Sequence, residues 1–236
     1  MRMHHRILFR NRCVLGKVLR KTIALGLVCS LICGAALLRA AANDAPLLSD
    51  WAKEEALLAE QQGLLPQERL YGALIDSGSR RHAVGYLVHL AEMILQQEIP
   101  NTSQGVFSDL EGHSSKTVDA AEKAHSAGIV VGYENHRFAP SKEITREEYA
   151  TMVFRTLQYI ERSQKVRLFP NEQAESGYLD SNSISPWAEQ AVTTLSNIGV
   201  FCGQRDGTFN PKGIVSLEQM IVVSYRCWAY CTARLS

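Results

Sequence analysis

The chain has 236 residues and a formal net charge of +1, with 25 Lys and Arg against 24 Asp and Glu. Eight of the basic residues lie in the first 42 positions, which contain no Asp or Glu, so residues 43–236 carry 17 basic and 24 acidic residues, a net charge near −7. This acidic balance argues against nucleic acid or an anionic membrane as the main partner, because binding either one requires a basic patch.

The N-terminal segment combines its basic residues with an apolar run from Thr22 to Leu38, followed by Ala40-Ala41-Ala42. This pattern is typical of a secretory signal peptide with a small-residue cleavage site, and we expect cleavage after Ala42. The alternative is an uncleaved membrane anchor, because the apolar run approaches the roughly 20 residues that span a bilayer. Membrane association is expected only in that alternative.

Three cysteines follow the N-terminal segment, namely Cys202, Cys227 and Cys231. An odd number excludes a fully paired disulfide framework. We expect buried thiols; the alternative is a disulfide from Cys202 to one of the other two, which an export signal makes chemically feasible.

Two segments match each other without gaps when the chain is shifted by 71 residues, so that Asp109 falls on Asp180. The identical pairs include Gly128/Gly199, Gly132/Gly203, Phe138/Phe209, Pro140/Pro211, Glu147/Glu218 and Arg155/Arg226. Shared glycines and prolines mark the same turns in both segments, which indicates an internal repeat.

A third, degenerate copy is predicted upstream, where Trp51 and Gly63 match Trp187 and Gly199. We therefore predict a signal peptide over 1–42 and three repeats over 43–97, 104–162 and 175–236. Short repeats of this kind bury their apolar faces only against one another, which explains why several occur in one chain.

Each copy predicts a helix, a tight turn and a second helix. The first helix begins at a serine N-cap such as Ser185 and ends at a glycine such as Gly199. The second begins at Thr145, whose side chain forms a capping box with Glu148. Its apolar residues fall on one helical stripe, namely Tyr149, Ala150, Val153, Leu157 and Ile160. The predicted fold is all-α.

The order and spacing of these motifs resemble the S-layer homology family. The matching strings are Phe107-Ser108-Asp109, Gly128-Ile129-Val130-Val131-Gly132, Phe138-Ala139-Pro140, Ile144-Thr145-Arg146-Glu147-Glu148 and, in the last copy, Tyr178-Leu179-Asp180, Trp187-Ala188 and Asp206-Gly207-Thr208-Phe209-Asn210-Pro211. The resemblance implies a pseudo-threefold bundle that attaches non-covalently to a cell-wall polysaccharide or a peptidoglycan-linked polymer, often through a pyruvylated sugar. It also implies a secreted protein located at the cell wall or cell surface.

By the same resemblance, Arg146 is the principal ligand contact, and its position on the first turn of a capped helix suits a carboxylate. The other candidate glycan-binding residues are Thr145, Asp109, Gly132, Arg80, Arg81, Trp51, Trp187 and Asp180. Asp109 and Asp180 are alternatively turn caps. Trp51 and Trp187 are either sugar platforms or core residues.

Two departures from the motif limit the number of competent grooves. Leu217 replaces the motif arginine in the last copy, and Lys116 stands where the other copies have Trp. In the first copy Arg80 is favoured over Arg81 as the equivalent of Arg146, because this choice keeps the apolar stripe buried.

No catalytic triad, metal-ligand cluster or phosphate-binding loop is evident in the sequence. We therefore expect a non-catalytic protein without a cofactor or metal. The rival hypothesis is a protein-interaction or structural subunit of the cell envelope whose glycan grooves have degenerated. In either case a separate protein partner carrying the cargo is expected.

Overall fold

The computed structural model describes residues 48–65, 74–170 and 177–235. The expected signal peptide, residues 1–42, lies outside them. Short and long helices alternate along the chain. They are α1 (Lys53–Gln61), α2 (Arg80–Leu95), α3 (Ser115–Ser126), α4 (Arg146–Gln164), α5 (Pro186–Asn197) and α6 (Leu217–Leu235), with 3-10 turns at Glu134–His136 and Ser181–Ser183. Within the described residues, extended pairing is limited to isolated bridges. The all-α prediction is confirmed.

Two helix N-termini carry the side-chain caps that the sequence predicts, whereas Ser185 stands at the N-cap position of α5 without a side-chain cap bond. The Ser114 side chain accepts a hydrogen bond from the Thr117 amide at the start of α3. At the start of α4, Thr145 and Glu148 form the predicted capping box, with bonds of 3.3 and 3.0 Å. Burial alone would raise the pKa of Glu148, but the hydrogen bonds from Lys142 and the Thr145 amide hold it below its usual value.

The long helices α2, α4 and α6 form the centre of the bundle, with α2 packed against both of the others. Each short helix packs on the long helix of the preceding pair: α3 lies on α2, α5 on α4, and α1 closes the ring on α6. No helix pair is therefore a self-contained unit. Each short helix joins one pair to the next.

A ring of backbone hydrogen bonds lies at the N-terminal end of the long helices. The Gly78 amide donates to the Val215 carbonyl at 2.6 Å, the Val215 amide to the Ile144 carbonyl at 3.0 Å, and the Ile144 amide to the Gly78 carbonyl at 3.2 Å. A side chain at Gly78 would meet the Val215 carbonyl at 3.0 Å and the Met220 side chain, so this approach requires glycine.

The amide of the first residue of each long helix donates to a carbonyl in the segment that precedes another long helix. These bonds satisfy donors that a helix N-terminus otherwise leaves unpaired. Arg80, Arg146 and Leu217 make the same bond, to the carbonyls of Lys142, Gly213 and Asp76 at 2.9, 2.9 and 3.0 Å. The three residues are thus structural equivalents. This geometry supports the assignment of Arg80, rather than Arg81, as the counterpart of Arg146.

One apolar core runs through the bundle, and the predicted stripe of α4 is fully buried in it. The Tyr149 hydroxyl in this stripe donates to the Met220 carbonyl of α6 at 3.4 Å. Cys227 and Cys231 are buried, and no disulfide forms among the cysteines of the described residues. Burial raises the pKa of the Cys231 thiol to about 12. The expectation of buried thiols is confirmed for these two cysteines.

Candidate functional site

Arg146 lies at the first position of α4 with 7% of its surface exposed. Its Nε donates to the Phe209 carbonyl at 2.7 Å, and its Nη2 donates to the Cys202 carbonyl at 3.2 Å. The guanidinium carbon also lies 4.8 Å from the centre of the Phe209 ring. Arg146 therefore holds the loop of the following helix pair against α4.

Arg80 makes the equivalent contact one pair earlier. Its Nε donates to the Phe138 carbonyl at 2.9 Å, and its guanidinium carbon lies 4.6 Å from the centre of the Tyr133 ring. Lys142 approaches the same ring, with Nζ 5.0 Å from its centre and 2.9 Å from its hydroxyl oxygen. Tyr133 is 40% exposed. The Arg80 position thus presents an aromatic ring with two cations beside it.

Arg81, the alternative candidate, is exposed and occupies the place that Glu147 has in α4. Its Nε lies 3.5 Å from His82 Nε2, at the limit of hydrogen-bond distance. Among the described residues, the Arg81 side chain makes no hydrogen bond to the loop that the Arg80 side chain holds.

Asp109 and Asp180 bind backbone amides of the Phe-x-Pro loops. The two carboxylate oxygens of Asp109 accept from Phe138 and Ala139 at 2.7 and 2.8 Å. Asp180 makes the same pair of bonds, with 2.7 Å to the Phe209 amide. Burial alone would raise the pKa of Asp109, but these amide bonds keep it lowered. Both carboxylates thus act as turn caps.

The arginines and aspartates converge on the same backbone units. Phe138 is held at its amide by Asp109 and at its carbonyl by Arg80, and Phe209 is held in the same way by Asp180 and Arg146. The sequence places these residues far apart along the chain, and the fold brings them to one loop in each case.

Gly132 and Thr145 have backbone roles. Gly132 has φ of +94°, and a side chain there would lie 2.8 Å from the Phe107 ring. Gly203 meets the Tyr178 ring in the same way. Thr145 is the cap of α4. These residues shape the loops beside the two arginines.

Trp51 lies just before α1, and its side chain is 46% exposed. Trp187 lies at the start of α5, and its side chain is 57% exposed. The interpretation of these residues as core residues is therefore wrong. Their exposed rings offer apolar faces of the kind on which sugars pack.

Glu147 has a role that the sequence did not reveal. Its carboxylate is 3% exposed and accepts from the Ser185 amide and hydroxyl, both at 3.0 Å, and from Lys212. Glu218 binds the amide and hydroxyl of Ser49 in the same way, at 2.9 Å. Each glutamate thus fixes the start of the short helix that packs on its own long helix. The sequence feature that could have revealed this role is the presence of glutamate at the same position in both copies.

Tyr133 and Lys142 were also missed, because neither belongs to a shared position of the two copies. In the last copy the corresponding residues are Gln204 and Gly213. The described residues contain no cluster of His, Cys, Asp and Glu suited to a metal ion. None of the described helices is long and apolar enough to cross a membrane.

A family model described as the S-layer homology domain matches residues 106–150 and 177–221. Each matched segment contains an Asp turn cap, a Phe-x-Pro loop and the first turns of a long helix. The first helix pair lies outside both matches.

Several known proteins are similar to part of the chain. An endoglucanase of Bacillus sp. (strain KSM-635) is 38% identical over 123 residues, which are 52% of this chain and 12% of that enzyme. The middle cell wall protein of Brevibacillus brevis is 29% identical over 57% of this chain. The surface layer protein of Brevibacillus choshinensis is 27% identical over 61%. The chain covers 12% of the length of each of these relatives.

Proposed function

Because residues 106–150 and 177–221 match the S-layer homology domain, we propose that the chain is a non-catalytic anchor that binds a cell-wall polysaccharide through the grooves between its helix pairs. The S-layer homology domain is an anchoring domain, and the protein is located at the cell surface or cell wall. The similarity to an endoglucanase is confined to 12% of that enzyme. The first helix pair is part of the proposal as a third, degenerate repeat.

The observation that carries this proposal is the cluster of Arg80, Lys142 and the exposed Tyr133 ring. The two cations lie 4.6 and 5.0 Å from the centre of the ring. An aromatic face packs against the apolar face of a sugar, and the neighbouring Arg80 attracts an acidic substituent, while Lys142 is shared with Glu148 at 2.7 Å. A polymer carrying carboxylates, such as a pyruvylated wall polymer, matches both features.

Arg146 is proposed as a contact in the next groove. Nε donates its single N–H to the Phe209 carbonyl and Nη2 donates one of its two to the Cys202 carbonyl, so the proposed contact with the glycan falls to Nη1 and the second N–H of Nη2. The groove of the third long helix has Leu217 in this place and lacks that cation. The proposed binding capacity is therefore unequal among the three grooves.

The second candidate function is a protein-interaction subunit of the cell envelope. Two exposed apolar side chains favour it, Leu179 at 80% and Val131 at 70% exposure. On this hypothesis the apolar surface receives a protein partner that carries the cargo, and the glycan grooves are vestigial.

Binding to purified cell wall separates the two functions. Tyr133→Ala removes the exposed ring and is expected to weaken wall binding roughly tenfold, equivalent to about 1.4 kcal/mol. Leu179→Ala is the matched control, because it removes an exposed apolar side chain outside the cluster. Circular dichroism verifies that both variants fold. Equal binding by the wild type and Tyr133→Ala would contradict the proposed groove.

The equivalent test at Arg146 uses Arg146→Leu. The chain itself places Leu217 at the corresponding helix position, so the substitution follows a natural precedent within the same fold. Weaker wall binding by a folded Arg146→Leu protein supports the second groove, and unchanged binding assigns Arg146 to structure alone.

A further inference from the structure

A pocket of about 210 Å³ lies between α4 and α5. Of the residues predicted to bind glycan, Trp187 alone is among those that line it. Polar and aromatic side chains line it. They are Thr151, Phe154, Arg155, Gln158, Trp187 and Gln190, and the small apolar Ala191 completes the lining. A guanidinium, two amides and an exposed indole in one pocket provide hydrogen-bond donors beside an aromatic face.

The same position in the next groove is closed by an ion pair. Arg226 corresponds to Arg155, and its Nε and Nη2 donate to the two carboxylate oxygens of Glu55 at 2.9 and 2.7 Å. When the first and last copies are aligned so that Trp51 falls on Trp187, Glu55 falls on Ala191. The exchange of Glu for Ala removes the carboxylate that would neutralise Arg155.

The remaining groove differs again. His89 of α2 stands where α4 has Arg155, and its Nε2 lies 2.8 Å from the Gly63 carbonyl oxygen. Lys116 replaces the tryptophan there. Among the described residues, only the α4–α5 groove therefore combines the arginine, the tryptophan and the loss of the acidic partner.

Within the described part of the chain, no hydrogen bond or ion pair engages the Arg155 guanidinium. We infer that this pocket is a binding subsite for a carboxylate-bearing sugar, in which Arg155 pairs with the carboxylate and Trp187 packs against the ring. The inferred carboxylate takes the place that Glu55 occupies beside Arg226.

This inference rests on the proposed function and deepens it, since it adds a second acidic-sugar subsite to the groove at Arg80. Two subsites on one chain can engage the same polymer together, which strengthens attachment without requiring either contact to be strong.

Two variants test the subsite by opposite routes. Arg155→Gln removes the cation, and Ala191→Glu restores the carboxylate found in the neighbouring groove and occupies Arg155 internally. Both are expected to weaken binding to purified cell-wall sacculi about tenfold. Arg162→Gln, an exposed arginine of the same helix outside the pocket, is the matched control and should bind as the wild type does. Thermal unfolding establishes that each variant is folded.

The source of the carboxylate is identified by treating the sacculi. Mild acid removes ketal-linked pyruvate and leaves uronic acids in place, whereas carbodiimide activation followed by borohydride reduces the carboxylates of both to alcohols. Reduction should weaken binding of the wild type more than binding of Arg155→Gln, which keeps only the groove at Arg80. The same difference after mild acid assigns the carboxylate to pyruvate, and its absence after mild acid assigns it to a uronic acid. If wild-type binding survives both treatments, or if Arg155→Gln and Ala191→Glu bind as tightly as the wild type, the subsite is refuted while the anchoring function stands. Failure of the wild type to bind untreated sacculi refutes both.

Discussion

The Arg226 guanidinium binds both carboxylate oxygens of Glu55, across 171 residues of sequence. The pair joins α6 to α1, so the last long helix holds the first short helix. It is the point at which the ring of helix pairs closes. Its side chains retain 24% and 20% of their exposure, so water partly screens the charges.

Replacing Glu55 by Gln is expected to destabilise the fold by about 1–2 kcal/mol, because the substitution leaves Arg226 with a weaker acceptor in a partly buried site. Urea unfolding measures the change. In a double-mutant cycle with Arg226→Gln, the two effects should be clearly non-additive. Additive effects would show that the pair does not contribute to ring closure.

Gly132→Ala should cost about 1–3 kcal/mol, because φ of +94° and the nearby Phe107 ring both disfavour a side chain. Gly85→Ala is the control: Gly85 lies inside α2 with nothing within 4 Å of the added carbon, so we expect stabilisation by about 0.5–1 kcal/mol. Thermal unfolding of the two variants should therefore shift in opposite directions. A stable Gly132→Ala protein would contradict the assigned loop geometry.

His82 should make stability depend on pH. Its Nδ1 accepts from the Ser79 amide at 3.2 Å, and burial, aided by the Arg81 charge, lowers its pKa to about 4. The unfolded chain takes up a proton near pH 6.5 that the folded protein resists, so this contribution to stability is complete above pH 6.5 and is lost as pH falls toward 4.

The wild type should therefore lose more stability between pH 7 and pH 5 than His82→Gln does. The slope should remain below about 1.4 kcal/mol per pH unit, because His82 is only half-buried and solvent screens it. Urea unfolding of both proteins across this range gives the difference. Parallel pH profiles would show that His82 is not held neutral.

The helices and their caps were predictable because they depend on local chemistry. Thr145 and Glu148 lie three residues apart, and glycine and proline mark the turns in both copies. The fate of Arg146 was not predictable, since its partners, the Phe209 and Cys202 carbonyls, reach it only through packing. The packing of α1 on α6 and the absence of an acidic residue beside Arg155 likewise depend on which helix pairs become neighbours in the fold.

The sequence pattern also could not predict which aromatic side chains are exposed. Trp51 and Trp187 stand beside buried alanines in the chain, yet each projects from the bundle at the start of a short helix. Tyr133 and Lys142 have no counterpart in the last copy, so comparing the two copies could not identify them.

Co-sedimentation of the purified protein with cell-wall sacculi, before and after their secondary polymers are stripped, tests the central claim most directly. A glycan anchor should sediment with intact sacculi and remain in solution with stripped ones. A folded protein that stays in solution in both cases, or that sediments equally with both, would contradict anchoring through a wall polymer.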